Sequence, residues 1–378
     1  MTVPFRIREA GLDDNERLIE LARRCPTKGT LDIYSDRFPD FFAMTRQQGE
    51  RSYVYVGESL QGDVVACAVL VERREQYEGE LVKVLHFADL RIHPSVRRTR
   101  IATKLIQLYS DRLLTGNYHH GVVEILKSNA APSRANTLLR SQMHIGRATK
   151  VTMYKLLPIW NYKLSKKWEY RQARRSDLPA LAKLLQSVYR GVPGAPHFSI
   201  EWLQEALQKH GSFSLANIYV AHTSEGELSA CVASWDQTSL RKTVVLRYPR
   251  LLKMFVRTLS MFGLLLKIPP LPKEGRSLRI KYFRWVAAKP EGLPALQSLM
   301  RFVLRKVKQE RTYQCVMVGF SDSDRLKASV RGLFKWREPL HIYSHHVVSP
   351  ELSLPVPKAR SLSVKPAKQQ LYVDLALI

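Results

Sequence analysis

The chain has 378 residues, which fits two or three globular domains and excludes a peptide-sized scaffold. Its composition, 45% hydrophobic and 25% charged, is typical of a folded protein and argues against wholesale disorder. The 60 Lys and Arg residues against 33 Asp and Glu give a formal net charge of +27. That charge favours anionic partners such as nucleic acid, acidic lipid or a polyphosphate ligand.

The four cysteines, Cys25, Cys67, Cys231 and Cys315, lie far apart in the sequence. They form no CxxC pair and no cluster with histidines at metal-binding spacing. We therefore predict neither a disulfide framework nor a metal site, and we expect a reducing, cytoplasmic location.

Two segments of the sequence are candidate membrane signals. The first eleven residues lack the apolar core of a signal peptide. Residues 251–271 form the most apolar window, but Lys253, Arg257 and Lys267 and the pair Pro269-Pro270 interrupt it. The sequence thus predicts no transmembrane span.

In chain order, the sequence first predicts a helix over residues 15–24, capped by an Asp, and then a hairpin that turns at Gly62. The hairpin pattern at residues 55–67 recurs without a gap at residues 219–231. A second Asp-capped helix, over residues 178–189, precedes the second hairpin just as the first helix precedes the first. Two homologous units explain this order economically, and chance similarity between two unrelated α+β domains is the alternative.

Each unit then continues with the same plan. The first predicts a strand at 80–92, a helix at 99–114, a strand at 121–126, a helix at 133–142 and a closing hairpin up to residue 157. The second predicts a strand at 278–287, a helix at 294–308, a strand at 314–320 and a helix after Asp324. An α+β fold follows, with two tandem domains at 1–158 and 168–348, each a mixed, mainly antiparallel sheet flanked by helices.

Two further segments lie outside this plan. An insertion at about 243–276 interrupts the second unit, and its apolar, basic stretch fits either a helix packed on protein or an amphipathic helix on a membrane. Residues 349–378 read as a surface linker that ends in a last strand over residues 371–378.

The junction after the first long strand carries the clearest chemistry. A helix N-terminus offers free N–H groups and partial positive charge, so it binds phosphate readily, and cationic side chains crowd this one. We expect the following residues to hold a diphosphate-bearing ligand: Leu90, Arg91, Ile92, Arg97, Arg98, Thr99, Arg100, Ile101, Ala102, Thr103 and Lys104.

This junction resembles the pyrophosphate loop of the GNAT superfamily, whose members transfer acyl groups from acyl-coenzyme A to amines. Its pattern, Gln/Arg-x-x-Gly-x-Gly/Ala after a strand and a proline turn, is matched by Pro94, Arg97 and Ala102. Arg100 departs from it, because a side chain stands where the family has a glycine and is expected to crowd the diphosphate. The resemblance also implies a bulge in the preceding strand, which frees backbone groups for the pantetheine arm.

A second match supports the first. The stretch from Glu124 to Ala131 resembles the strand and following SNAA segment of GNAT enzymes that acetylate protein N-termini, which implies Glu124 as the general base and Asn129 as a ligand of the donor. Acyl transfer needs a neutral amine, so a carboxylate has to accept its proton. Asp89 and His86 are further candidate bases.

Two features of the family are missing. The Tyr that protonates the departing thiolate in the family is absent from residues 136–139, and either Tyr154 or Tyr109 is a candidate substitute. The second unit lacks the loop, since residues 286–294 have no Arg at the first motif position and place Glu291 where phosphates would sit. We expect this copy to bind acyl donor poorly and to shape the acceptor pocket or mediate assembly.

The resemblance thus implies an N-acetyltransferase that uses acetyl-coenzyme A, or another acyl-coenzyme A, with an amine acceptor that is a small molecule or a protein. The alternative is a non-catalytic module that binds nucleic acid or an anionic membrane through its basic surface. No nucleic-acid motif supports the alternative, and no aromatic residues are interleaved with the basic turn. The sequence leaves an oligomeric state open.

Overall fold

The computed structural model describes residues 5–28, 31–126, 144–145, 149–209, 211–249, 253, 269–346 and 370–377. Asn129, the helix expected at 133–142, most of the apolar stretch of the insertion and most of the linker lie outside these residues. Within them, no helix is long and apolar enough to cross a membrane.

The first half of the chain builds eight strands and three helices in the described residues. They are β1 (Phe5–Glu9), α1 (Asn15–Arg24), β2 (Asp32–Asp36), α2 (Phe41–Gln48), β3 (Arg51–Ser59), β4 (Val64–Tyr77), β5 (Glu80–Ile92), α3 (Ile101–Thr115), β6 (His120–Leu126), β7 (His144–Ile145) and β8 (Thr149–Leu156).

The second half builds eight strands and three helices of its own among the described residues. They are β9 (Glu169–Gln172), α4 (Leu178–Tyr189), α5 (Ile200–Lys209), β10 (Ile218–His222), β11 (Leu228–Asp236), β12 (Lys242–Arg247), β13 (Ser277–Leu278), β14 (Ile280–Ala288), α6 (Leu293–Glu310), β15 (Cys315–Ser321) and β16 (Lys335–His346).

Two expectations about the end of the chain were wrong. The helix expected after Asp324 is a short 3-10 segment, Arg325–Val330, whose first turn is capped by the Asp324 carboxylate. The strand expected over residues 371–378 is not formed, because residues 371–374 join no strand and are followed by a 3-10 turn, Leu375–Leu377. These residues pack into the second half, as described below.

One large sheet runs through both halves, and helices flank it. Its strand order is β1-β3-β4-β5-β6-β16-β8-β15-β14-β11-β10-β9, with the short β7 paired to β16. Neighbouring strands are antiparallel except for the pairs β5 with β6 and β14 with β15. The expected α+β class, with a mixed, mainly antiparallel sheet, is confirmed.

The repeated pattern in the sequence corresponds to repeated geometry. Val56 pairs with Cys67 in the first hairpin, and Val220 pairs with Cys231 in the second. Arg8 and Asp14 form a bidentate ion pair before α1, and Arg171 and Asp177 form the same pair before α4. The two Asp residues stand at the helix N-caps but bind these arginines instead of the helix amides that we expected.

The last strand of each half is exchanged, which the sequence did not predict. Strand β16 lies between β6 and β8, while β8 lies between β16 and β15. The hairpin expected to close the first unit is therefore wrong, because β8 pairs with strands of the second half. A small sheet of β2, β12 and β13 also joins the halves, and the start of the expected insertion belongs to it.

The Arg171–Asp177 pair provides a test of the fold through its pH dependence. Hydrogen bonds from Arg171 lower the pKa of Asp177 from its ordinary value near 3.8 to about 2. The stabilisation from this pair is present above the ordinary value and is lost as the pH falls towards 2. We expect Asp177→Asn to lower the free energy of unfolding at pH 7 by about 1–2 kcal/mol, and the difference to shrink below pH 3.

Urea denaturation between pH 2 and pH 7 measures this difference. The control is Asp13→Asn, which removes the exposed carboxylate next to Asp14 in the first half. Its expected effect is under about 0.5 kcal/mol. A deficit in Asp177→Asn that stays constant down to pH 2 would contradict the proposed charge pairing.

Candidate active site

Strands β5 and β6 separate halfway along their length. Their parallel ladder runs from Val84 opposite His120 to Phe87 opposite Val123 and ends there, while β5 continues along β4 to Ile92. At the separation Ala68 of β4 faces two residues, Asp89 and Leu90, and Asp89 has a φ of 52°. This is the bulge implied by the resemblance, and bulges bend the strand that carries them.

The bulge leaves one edge of β5 open. Among the described residues, the strand from Leu90 to Ile92 is paired only with β4, and Leu90 is exposed. Apart from the Ile92 carbonyl, which accepts from Arg97, backbone groups on that side are available to hydrogen bond with an extended ligand.

The basic turn follows this open edge directly. Pro94–Val96 forms a 3-10 turn, and Arg97 folds back so that its Nε donates to the Ile92 carbonyl at 3.3 Å. Helix α3 begins at Ile101, and Arg98 and Arg100 are exposed beside its N-terminus. The first-turn N–H groups of a helix have no acceptor within it and give its N-terminus a partial positive charge.

Arg100 is the N-cap of α3 with a φ of −82°, a conformation open to any residue, and its side chain is exposed. That this side chain crowds the diphosphate stays a prediction. Thr99 supports the turn, since its Oγ1 accepts from Ile101 N–H at 3.3 Å. Lys104 lies one turn into the helix, with its ammonium 4.9 Å from the centre of the Phe5 ring.

Glu124 lies in a buried row of three charged groups. His86 Nδ1 is 3.1 Å from Glu124 Oε1, and His86 Nε2 is 2.7 Å from Glu75 Oε1. The side chains of His86, Glu75 and Glu124 are only 4%, 7% and 8% exposed. The sequence offered His86 and Glu124 as separate candidate bases, and it gave no signal for Glu75.

The protonation of this row follows from its geometry. Burial disfavours a charged His86, but the two flanking carboxylates outweigh burial, and the pKa of His86 is raised. Burial also works against the charged carboxylates, yet His86 outweighs it and lowers the pKa of both Glu75 and Glu124. All three shifts favour the charged forms, and Arg73 adds a positive charge beside the row, with its Nη1 3.9 Å from Glu75 Oε1.

Asp89 is held in a different cluster. Its two carboxylate oxygens lie 2.7 Å from Arg37 Nη2 and 2.7 Å from Arg91 Nη2. Burial acts to raise the pKa of Asp89, but Arg37 and Arg91 outweigh it and leave the pKa lowered. These ion pairs at the bulge favour a structural role for Asp89 over the role of base that the sequence allowed. They also engage the side chain of Arg91, which the sequence predicted to bind the donor.

Of the two tyrosines proposed as proton donors, Tyr154 lies far from Glu124 and Tyr109 lies deep in the core. Ile342 of β16 pairs with both Glu124 and Thr149, which places Tyr154 two strands away and about 17 Å along β8. The exchange of β16 causes this separation. Tyr109 is fully buried on α3 and packs on Gly121, and burial raises its pKa.

A cavity of about 600 Å³ opens beside the carboxylate row. Glu75, His86 and Glu124 line it from the first half, and Trp202 and Arg284 line it from the second. Tyr372 belongs to the segment 370–374, which forms part of the wall. The sequence placed the candidate base but not the cavity, because the walls come from segments far apart in the chain.

The second half has the same separation of strands, but its own chain fills it. Strands β14 and β15 pair only from Ile280 to Tyr282, and a bulge at Trp285, with a φ of 51°, follows. A Cβ on Gly319 of β15 would come within 2.8 Å of Leu375, so the C-terminal residues occupy this space. The predicted weakness of donor binding in the second copy is consistent with this packing.

The carboxylate row gives a testable prediction of stability. Replacing one member of a buried charge pair costs about 3–5 kcal/mol, so we expect His86→Gln to lower the free energy of unfolding at pH 7 by about 3 kcal/mol. Because the pKa of His86 is raised, its stabilisation is full below pH 6.5 and is lost as the pH rises through the folded value.

Urea denaturation from pH 6 to pH 9 compares the two proteins, with His197→Gln as the control on a cavity-lining histidine outside the row. The difference between wild type and His86→Gln should decrease as the pH rises. A difference that grows with pH would show that His86 is neutral in the folded protein.

Comparison with known proteins places this geometry in context. Residues 15–132 match the model of the acetyltransferase (GNAT) family, and this segment runs from α1 past β6. A search of curated proteins found no match. Three similar solved structures cover 91–92% of this chain.

The first is a fungal multi-domain β-N-acetylglucosaminidase with a GCN5-related glucosamine N-acetyltransferase region (TM-score 0.59, 12% identity, 91% of this chain). This chain spans only 38% of that protein. The others are Saccharomyces cerevisiae N-myristoyltransferase with bound myristoyl-CoA (TM-score 0.58, 11% identity, 92% of this chain and 84% of that one) and a GCN5-related N-acetyltransferase from Sphaerobacter thermophilus (0.55, 13%, 92% and 98%). The chain thus has the fold of GNAT-type acyltransferases, and its residues 15–132 match the GNAT acetyltransferase family.

Proposed function

We propose that this chain is an N-acyltransferase that transfers an acetyl group from acetyl-coenzyme A to a primary amine in its first half. One observation carries the proposal: β5 carries His86 of the buried carboxylate row, which opens into a cavity, and the same strand continues into an open edge and a cationic helix N-terminus. The myristoyl-CoA bound to the similar myristoyltransferase supports an acyl-coenzyme A donor of this kind.

The residues of the loop fit the donor. Arg97, Arg98 and Arg100 would bind the diphosphate together with the first-turn amides of α3, at Ala102 and Thr103. The open edge from Leu90 to Ile92 would hydrogen bond with the pantetheine arm. The bound thioester supplies an activated acyl carbon, whose bond to sulfur breaks as the bond to nitrogen forms.

Glu124 would accept the proton that the amine has to lose. With His86 bound to its Oε1, the other oxygen of Glu124 remains for the amine or an intervening water. Proton uptake would neutralise the Glu124 carboxylate. Glu75 would act as a positioning residue, because its 2.7 Å contact fixes the His86 ring and favours the charged form of His86.

We further propose that the second half, residues 168–348, is a degenerate copy of the domain at 1–158. Its strand separation is filled by the C-terminal residues, and its residues Trp202 and Arg284 line the acceptor cavity. The second copy would shape the acceptor site and take no donor of its own. A non-catalytic module that binds only through surface charge requires neither this cavity nor the carboxylate row, so the structure favours the enzyme.

Donor binding is tested by thermal melting with and without acetyl-coenzyme A. We expect the wild-type midpoint to rise, because a ligand at about 100 times its Kd adds about 2.7 kcal/mol of stability. Arg97→Ala with Arg98→Ala should abolish the rise, since two charge-assisted contacts to the diphosphate are lost.

The matched control is Arg174→Ala with Arg175→Ala, which removes two adjacent exposed arginines from the second half and should keep the full rise. Myristoyl-coenzyme A, tested in parallel, asks whether the acyl chain is longer than acetyl. An unchanged wild-type midpoint at saturating donor would overturn the proposed cradle.

Catalysis by Glu124 is tested by Glu124→Gln in an assay for coenzyme A release with a panel of primary amines. General base catalysis contributes typically 10²- to 10⁴-fold, so we expect kcat to fall by about that factor while the donor-induced rise in midpoint persists. Glu50→Gln at the exposed rim of the cavity is the control. Full turnover by Glu124→Gln would remove this residue from the mechanism.

A further inference from the structure

Three large aromatic side chains are exposed at one corner of the molecule, outside the candidate site. Trp160, Phe334 and Trp336 are 53%, 49% and 54% exposed. Among the large apolar side chains that are exposed in the described part of the chain, only one other, Phe38, is aromatic. Soluble proteins rarely expose such rings together without a use for them.

Hydrogen bonds bring together the chain segments that carry the three rings. Leu157 N–H donates to the Phe334 carbonyl at 3.0 Å, and Phe334 N–H donates to the Tyr162 hydroxyl at 3.0 Å. Trp160 lies in the loop between these two anchors, and Trp336 lies two residues after Phe334, on the same side of the strand. We call Trp160, Phe334 and Trp336 the aromatic corner.

The aromatic corner is distant from the cavity. Trp336 pairs with Lys155 near the start of β16, whereas Ile342, which lines the cavity, is six residues further along the strand. At about 3.4 Å per residue the two positions are about 20 Å apart. Acyl transfer in the cavity therefore does not explain these rings.

Cations accompany the aromatic corner in the sequence. The exposed basic residues in the loop after β8, in the turn before β16 and at the start of β16 are Lys163, Lys166, Lys167, Arg331 and Arg337. The nearby carboxylate of Glu338 is already bound by Lys155 Nζ at 2.5 Å. The corner thus combines apolar rings with an excess of positive charge.

We propose that the aromatic corner docks this protein on the surface of an anionic membrane. Trp and Phe rings partition into the headgroup boundary, and Lys and Arg beside them are attracted to acidic lipids. The placement favours a membrane over a nucleic acid. Trp160 and Phe334 lie in connecting segments and Trp336 lies at the start of β16, so the rings can enter a headgroup layer, whereas single-stranded nucleic acid stacks along a cationic groove.

Flotation with vesicles tests the proposal on the full chain. We expect wild type to bind vesicles with about 30% phosphatidylserine and to bind phosphatidylcholine vesicles at least about tenfold more weakly, because each cation near an acidic surface contributes. Trp160→Ala with Phe334→Ala and Trp336→Ala should lower the partition coefficient on acidic vesicles by about tenfold or more, since apolar area is lost. Leu60→Ala removes an exposed apolar side chain elsewhere and should change nothing.

The charge component has its own pair of variants. Lys163→Gln with Lys166→Gln should weaken binding to acidic vesicles about tenfold and reduce its salt dependence. Lys28→Gln with Lys183→Gln, two exposed lysines elsewhere, is the control and should bind as wild type does. Trp160→Ala alone is the smallest change to the aromatic corner. Melting curves confirm that each variant is folded.

Three outcomes would overturn the proposal. The first is unchanged vesicle binding by the triple aromatic variant, which would leave charge alone as the cause. The second is binding of a single-stranded RNA, but not of vesicles, that is lost in the triple variant. The third is a dimer in size-exclusion chromatography that dissociates in the triple variant, which would show that a second copy covers the corner.

Discussion

The separation of β5 from β6 is the constraint on which the candidate site depends. Ion pairs from Arg37 and Arg91 hold Asp89 in a left-handed conformation, and the bulge there turns β5 away from its neighbour. The open edge, the cationic turn and the helix N-terminus all follow within fifteen residues of this point. The ion pairs at Asp89 thus fix the shape of the site in which we propose Glu124 as the base.

The two halves share their strand geometry but differ in what occupies the gap between the separated strands. Both have the bulge, the separated strands and the Arg–Asp pair before the first helix. In the first half the separation stays open beside a cationic turn, and in the second the chain's own residues 371–377 fill it. The difference between the halves therefore lies in what occupies the gap, not in the fold.

Local signals in the sequence predicted most elements well. Helices α1 and α4 have the expected bounds, and both expected hairpins form, because apolar periodicity and a turn glycine act over short distances. The exchange of β8 and β16 was missed, since neither strand carries a signal for its partner. Glu75 was missed for the same reason, because only the folded sheet brings it to His86.

The exchanged strands also explain why the cavity needs the whole chain. Strand β6, which carries Glu124, has β16 of the second half as its outer neighbour, so the first half alone would leave the edge of β6 unpaired. Trp202 and Tyr372 add walls that no part of the first half replaces. Under the proposed function, a donor site in the first half and an acceptor wall from the second would give a physical reason for a second half whose own gap is closed.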